Sequence, residues 1–242
     1  MTVHIVAQQK GGIGKSFLAV ALGDFLRRQA PETACFDVDI GNATFSQFLG
    51  LEAIEIGDEA DASIDPQHFD TLFSRLLNLK SDAVVDFGSP EFKPLMHYVG
   101  ETETIRVLSD KGVRVVFHTV IAGGAAMEDC FESLEAIVAQ VDECAAIIPW
   151  RNGFYGTFVT NGRDLANSPE WLAIGGRLHA VGTIPSSPNS LVRSDVEALQ
   201  RLRLTFSEVA GSEDLSIWQK SRLHRVEAEF EGQFKTVLKN II

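Results

Sequence analysis

The chain reads as an α/β domain with a mostly parallel central sheet and helices on both faces. Three observations predict this. Apolar strand-like runs alternate with helix-period segments along the chain, as in a parallel sheet with helical crossovers. A glycine-rich turn at residues 10–16 joins the first strand to the first helix. The 242 residues are 45% hydrophobic and 22% charged, ordinary globular values that fit one core.

The elements follow in order. Residues 3–7 form a buried first strand. Residues 16–28 form a helix with Leu18, Ala21, Leu22, Phe25 and Leu26 on one face. Residues 33–38 make a second strand ending in Asp37 and Asp39. Asp65 is placed to cap, and Pro66 to start, a helix with Phe69, Leu72, Phe73, Leu76 and Leu77 on its apolar face. The third strand is 82–86. A helical region leads to a fourth strand at 113–120, a helix at about 127–140 and a fifth strand at 144–149. Residues 150–167, rich in Gly and Asn, read as a loop. Ser168 and Pro169 open another helix, 178–184 is a sixth strand, and helices at 189–202 and 215–238 follow. The whole of 1–242 is expected to be one domain, with the C-terminal segment from about 213 packed on the core.

The turn between the first strand and helix carries the chemistry. Lys10, Gly11, Gly12, Ile13, Gly14, Lys15 and Ser16 form a phosphate loop. Its glycines let successive N–H groups face one anion, and the helix N-terminus adds partial positive charge. Lys15 supplies a point charge for the β- and γ-phosphates, the Ser16 hydroxyl is a magnesium ligand, and Phe17 follows at the edge of the site. The fold is therefore of the P-loop NTPase type. The ordinary motif has glycine where this chain has Gln9. A second lysine, Lys10, stands at the start of the loop, where its own phosphates do not need it.

With these residues the sequence resembles the ParA/MinD family of deviant Walker A ATPases over roughly residues 2–184. The resemblance implies ATP and Mg2+ as cofactors and a nucleotide-dependent homodimer. It also implies that Lys10 reaches the partner's phosphates, as an arginine finger does, an effect of about 10³–10⁵ in rate. Asp37, Asp39 and Gly41 resemble the MinD switch I segment, closed by Gly50, while Asn42, Ala43 and Thr44 look instead like ParA. By that resemblance Asp37 helps hold the magnesium waters and Asp39 orients or activates the hydrolytic water. Asp86 looks like the Walker B aspartate, a further metal-site residue. Gly88 begins a switch II segment that departs from the family pattern in reading Asp86-Phe87-Gly88-Ser89-Pro90. Asn152 and Pro185 match the family's base-contacting positions, and Trp150 is either a base-stacking or a buried aromatic. The N-K-x-D segment of Ras-like GTPases is absent, which disfavours GTP.

The formal net charge of −12 opposes non-specific nucleic-acid binding without a local basic patch. Arg193, Arg201 and Arg203 offer a small patch for DNA contact of the ParA kind, or a solvated helix face. Acidic residues 51–65 are a solvated loop or a surface for a basic partner. Cys35, Cys130 and Cys144 lack metal or disulfide spacing, so a reducing cytoplasm is expected. No integral membrane segment is expected. Trp218, Leu223, Val226, Phe230, Phe234, Leu238 and Ile241 form a helical stripe whose opposite face is of mixed charge, which favours docking on the core over membrane binding.

The leading expectation is a dimerising ATPase switch that recruits a protein partner or activator, serving partition, positioning or conjugative transfer. Length and the hybrid switch I segment look most like the plasmid-encoded TraL-type proteins. The rivals are a metabolic enzyme of the same fold, similar to dethiobiotin synthetase, and a nucleotide-binding adaptor that barely hydrolyses.

Overall fold

The computed structural model describes residues 1–39, 41, 43–55, 66–160 and 162–241. Its strands are β1 (Thr2–Val6), β2 (Ala34–Val38), β3 (Ile54–Glu55), β4 (Ala83–Phe87), β5 (Arg114–Ala122), β6 (Ala145–Asn152), β7 (Val159–Thr160), β8 (Arg163–Asp164) and β9 (Gly182–Ile184). Seven of them form one sheet in the order β3-β2-β4-β1-β5-β6-β9. Every pairing in it is parallel. The short pair β7–β8 is antiparallel. The helices are α1 (Lys15–Gln29), α2 (Pro66–Asn78), α3 (Phe92–Thr102), α4 (Thr104–Asp110), α5 (Met127–Gln140), α6 (Pro169–Ile174), α7 (Ser190–Arg201) and α8 (Ile217–Val237).

The α/β architecture agrees with the alternation of the sequence. β1 and β4 are buried at every position, as expected of central strands covered on both faces. Helices α2, α3 and α5 pack in succession, and α8 packs on α1. The seven strands of the main sheet run the same way, so their C-terminal ends open onto one edge, where a ligand crevice forms in such sheets.

Several expectations are corrected. The edge strand β3 lies within the segment read as an acidic loop, where Glu52 pairs with Arg27 at 2.7 Å. Residues 56–65, with the Asp65 cap, lie outside the described residues, as do Ile40 and Asn42 of the switch I segment. The region between β4 and β5 is two helices, parted at Glu103 with φ +49°. The sixth expected strand shortens to Gly182–Ile184. The segment 150–167 is not one loop: β6 runs on to Asn152, and a 3-10 turn and the β7–β8 pair follow.

That extension is open to β6 despite Pro149. Alternate residues of a strand face the same edge. Ile147 accepts a hydrogen bond from His179 N at 2.9 Å on the β9 side, so the nitrogen of Pro149 faces that side too. There β9 begins only opposite Trp150, and no ladder bond is lost.

Most of the C-terminal stripe lies against the core. Leu223, Val226, Phe230, Phe234, Leu238 and Ile241 are buried. Phe234 meets Phe25 at 5.1 Å and Trp150 at 5.3 Å, and Phe230 meets Phe17 at 5.5 Å. Burying side chains of this size contributes roughly 1.5–3 kcal/mol each. Trp218 departs from the stripe and is 71% exposed. Among the described residues no helix is long and apolar enough to cross a membrane.

A buried polar chain crosses the centre of the sheet. Trp150 Nε1 donates to His118 Nδ1 at 2.9 Å, and His118 Nε2 lies 3.0 Å from His4 Nδ1. The indole can only donate. His118 therefore carries its proton on Nε2 and donates to His4, whose own proton sits on Nε2, a buried atom without a partner among the described residues. Burial lowers both imidazoles, His4 to about 4. The folded chain thus takes up these protons less readily than the unfolded chain. This contribution is complete above pH 6.5 and is lost as the pH falls toward 4, about 3 kcal/mol from His4. Buried Asp24, Asp37 and Asp86, raised by burial, act with the opposite sign. A His4→Gln chain isolates the histidine contribution. Urea unfolding at pH 7 and pH 4.5 should show the wild type losing about 2–3 kcal/mol more than this variant. Equal losses would contradict the assignment.

Candidate functional site

β1 ends at Val6, and the chain turns through residues 7–14 into α1. Gly12 and Gly14 adopt φ +70° and +100°, conformations that only glycine takes readily. Gly14 is the N-cap of α1 and supplies no side-chain cap, so the first N–H groups of the helix stay open to an anion. Ile13 is buried in the core and offers the site only its backbone.

Lys15 is 7% exposed, and its Nζ lies 2.7 Å from Ser89 Oγ and 3.2 Å from Lys10 O. Burial pulls this ammonium down, against the attraction of Asp86, Asp39 and Glu91. Asp37 and Asp86 are register neighbours at the ends of β2 and β4, both 1% exposed. Asp37 accepts from Asp39 N at 3.1 Å and Ser46 N at 2.8 Å, so it also shapes the turn carrying Asp39. Burial raises both carboxyls, Asp86 to about 8, with Ser16 hydrogen-bonded to Asp86.

This donor set fits a magnesium ion. Asp86 Oδ1 is buried with no hydrogen-bond partner among the described residues, beside the Ser16 hydroxyl and the Asp37 carboxylate. Hard oxygen donors of this kind suit Mg2+, which usually takes one or two carboxylates plus phosphate oxygens rather than a protein cage.

Asp39 converges with Glu91 on Gly88. A Cβ at Gly88 would come 2.7 Å from Asp39 Cγ and 2.0 Å from Glu91 Oε2, so a side chain there would have to displace both carboxylates. A cavity of about 790 Å3, within the usual range for small-molecule sites, runs from this point. Gly11, Gly12, Gly14, Lys15, Ser16 and Phe17 line one end. Pro185, Ser186 and Asn189 line another part, and Val196, Arg225 and Glu229 of α7 and α8 wall the rest.

Most of the expected site residues therefore gather at the C-terminal edge of the sheet. Asn152 lies under the loop: its Nδ2 donates to Ile13 O at 2.9 Å and its Oδ1 accepts from Phe154 N at 3.1 Å. Trp150 is fully buried and bonded to His118, so it is core and does not stack on a base. Lys10 turns away from the cradle, with Nζ 2.5 Å from Asp129 at the start of α5. Arg193 and Arg203 are turned into the cavity wall, over the rings of Phe154 and Phe48 at 4.3 and 5.7 Å, rather than forming an outward patch with Arg201. Sequence reasoning missed Ser89, Glu91, Asp129 and Tyr155. Ser89 and Glu91 carried a signal, as polar residues directly after the Asp86 strand end.

The residues 4–217 match the family model described as the CobQ/CobB/MinD/ParA nucleotide binding domain. Two Escherichia coli proteins, each called Protein TraL, are similar along almost their whole length. One is 29% identical, covering 91% of this chain and 92% of the relative; the other is 27% identical, covering 96% and 97%. Among solved structures, the MinC:MinD cell division protein complex of Aquifex aeolicus superposes with a TM-score of 0.51 at 14% identity, covering 96% of each chain, a likeness of fold.

Proposed function

The chain belongs to the CobQ/CobB/MinD/ParA nucleotide-binding family, and from that premise we propose that it is an ATP-hydrolysing switch. In this reading, ATP with Mg2+ closes a homodimer, hydrolysis opens it, and the cycle changes the protein partner that is bound. The likeness to the two TraL proteins supports a plasmid-linked role in partition, positioning or conjugative transfer. The observation that carries the switch reading is the division of labour between the two lysines. Lys15 fills the cradle, while Lys10 is half-exposed and held outside it by Asp129. A cation so placed is available to a second copy's phosphates.

The roles follow from charge and position. Lys15 and the open N–H groups of α1 would grip the phosphate tail. Asp86, Asp39 and Glu91 converge around one ammonium, so a triphosphate would meet excess negative charge. Mg2+ held by Ser16, Asp37 and Asp86 would supply the neutralising charge between the phosphates. Asp39 would orient the attacking water. Asn152 and Pro185 would border the base.

Calorimetry with Mg·ATP and Mg·ADP, paired with sedimentation, tests the reading. The expected result is heat with both nucleotides and a doubling of the 26.5 kDa mass with ATP alone. Binding without a mass change or phosphate release would overturn the switch in favour of an adaptor. Turnover that requires a small acceptor would favour a metabolic enzyme.

A further inference from the structure

Two carbonyls of the phosphate loop are each met by a side-chain donor from the end of β6 and the turn after it. Asn152 Nδ2 reaches Ile13 O at 2.9 Å, and the Tyr155 hydroxyl reaches Gly12 O at 2.5 Å. A peptide plane carries its C=O and the following N–H on opposite sides. Fixing the carbonyls of Gly12 and Ile13 therefore fixes where the N–H groups of Ile13 and Gly14 point. An anion nest depends on that direction.

The position of Tyr155 is built from several sides. Asn152 Oδ1 accepts from Phe154 N at 3.1 Å, and Arg193 donates to Phe154 O at 2.9 Å. Gly124 N donates to Thr157 O at 2.9 Å. A Cβ at Gly123 would sit 2.1 Å from Gly156 O, so two backbones press together directly behind the tyrosine. The Tyr155 ring meets Phe154 edge-on at 5.0 Å.

We propose that Tyr155 is a positioning residue, a latch that holds the empty phosphate loop in its anion-binding shape and so serves the triphosphate tail rather than the nucleoside. The inference rests on the nucleotide reading above. With glycine at positions 11, 12 and 14, the unlatched loop would spread over other conformations. Apparent affinity falls in proportion to the fraction that remains competent.

Tyr155→Phe keeps the ring and removes the donor. In the nucleotide-free chain, amide hydrogen exchange at residues 12–14 should quicken about three- to tenfold, the effect of one ordinary hydrogen bond, with the thermal midpoint lowered by only a few degrees. Calorimetry with inorganic tripolyphosphate, Mg·ADP and Mg·ATP should show all three weakened by one common factor, no larger than the gain in exchange. Unchanged exchange would overturn the latch. So would a loss confined to ADP and ATP, because the phenol would then be reading the nucleoside. A wild-type chain that takes up none of the three ligands would refute the nucleotide reading, and exchange at the loop would then decide the latch alone.

Discussion

Replacing Lys10 with alanine should lower ATP turnover by roughly three to five orders of magnitude, the range measured for a cation supplied in trans. ATP affinity of the single chain should change by less than about threefold, since Lys15 and not Lys10 meets the bound tail in cis. The geometry motivates both halves. Lys15 Nζ sits in the loop against Lys10 O and Ser89, whereas Lys10 Nζ lies against Asp129 outside the cavity lining. The Asp129 contact raises the Lys10 pKa, so the side chain stays charged across the physiological range. Both partners are about half exposed, so water and salt screen the pair and a second copy's phosphates can compete for the ammonium. Asp129→Asn should accordingly shift ATP-dependent dimerisation to lower protein concentration. Single-turnover phosphate release, read beside sedimentation, checks these results. A Lys10→Ala chain that dimerises and hydrolyses like the wild type would remove the trans role.

What the sequence made legible was local. The phosphate loop lies within seven consecutive residues, and its glycines announce the backbone they require. Asp37 and Asp86 could be placed because an apolar run that ends in an acid marks the C-terminal end of a strand, and parallel strands bring those ends together. Contacts that span the chain left no such mark. Tyr155 and Gly12 are 143 residues apart, and Lys10 and Asp129 are 119 apart. The two-residue edge strand β3 is too short for alternation to register. The strand expected to end at Pro149 runs on to Asn152, because the donorless side of Pro149 faces an edge that β9 has not reached. Of the two fates open to Trp150, burial holds: the longer strand carries it into the core, where it bonds His118.

Asp39→Ala should hold the chain in an ATP-bound dimer and cut turnover about 10²–10⁴-fold, the usual contribution of a positioned acid–base group. Asp39 lines the cavity together with Lys15, and its turn is fixed by Asp37, which accepts the Asp39 N–H at 3.1 Å. Its carboxylate abuts Gly88, so the turn after β2 and the turn after β4 meet at one point. Removing the side chain leaves Lys15, Ser16, Asp37 and Asp86 in place, so nucleotide affinity should persist while the water loses its guide. Asp39→Asn keeps the shape and removes the basic oxygen. It should lose about as much turnover as alanine if the carboxylate activates water, and much less if the residue only holds the turn. Gly88→Ala supplies a second approach, since its methyl would displace the Asp39 and Glu91 carboxylates while residues 10–16 keep their sequence. The same turnover loss with retained ATP binding is expected there. Wild-type phosphate release from Asp39→Ala, measured with the dimer confirmed by sedimentation, would assign water activation elsewhere and leave Asp39 as a structural part of the turn.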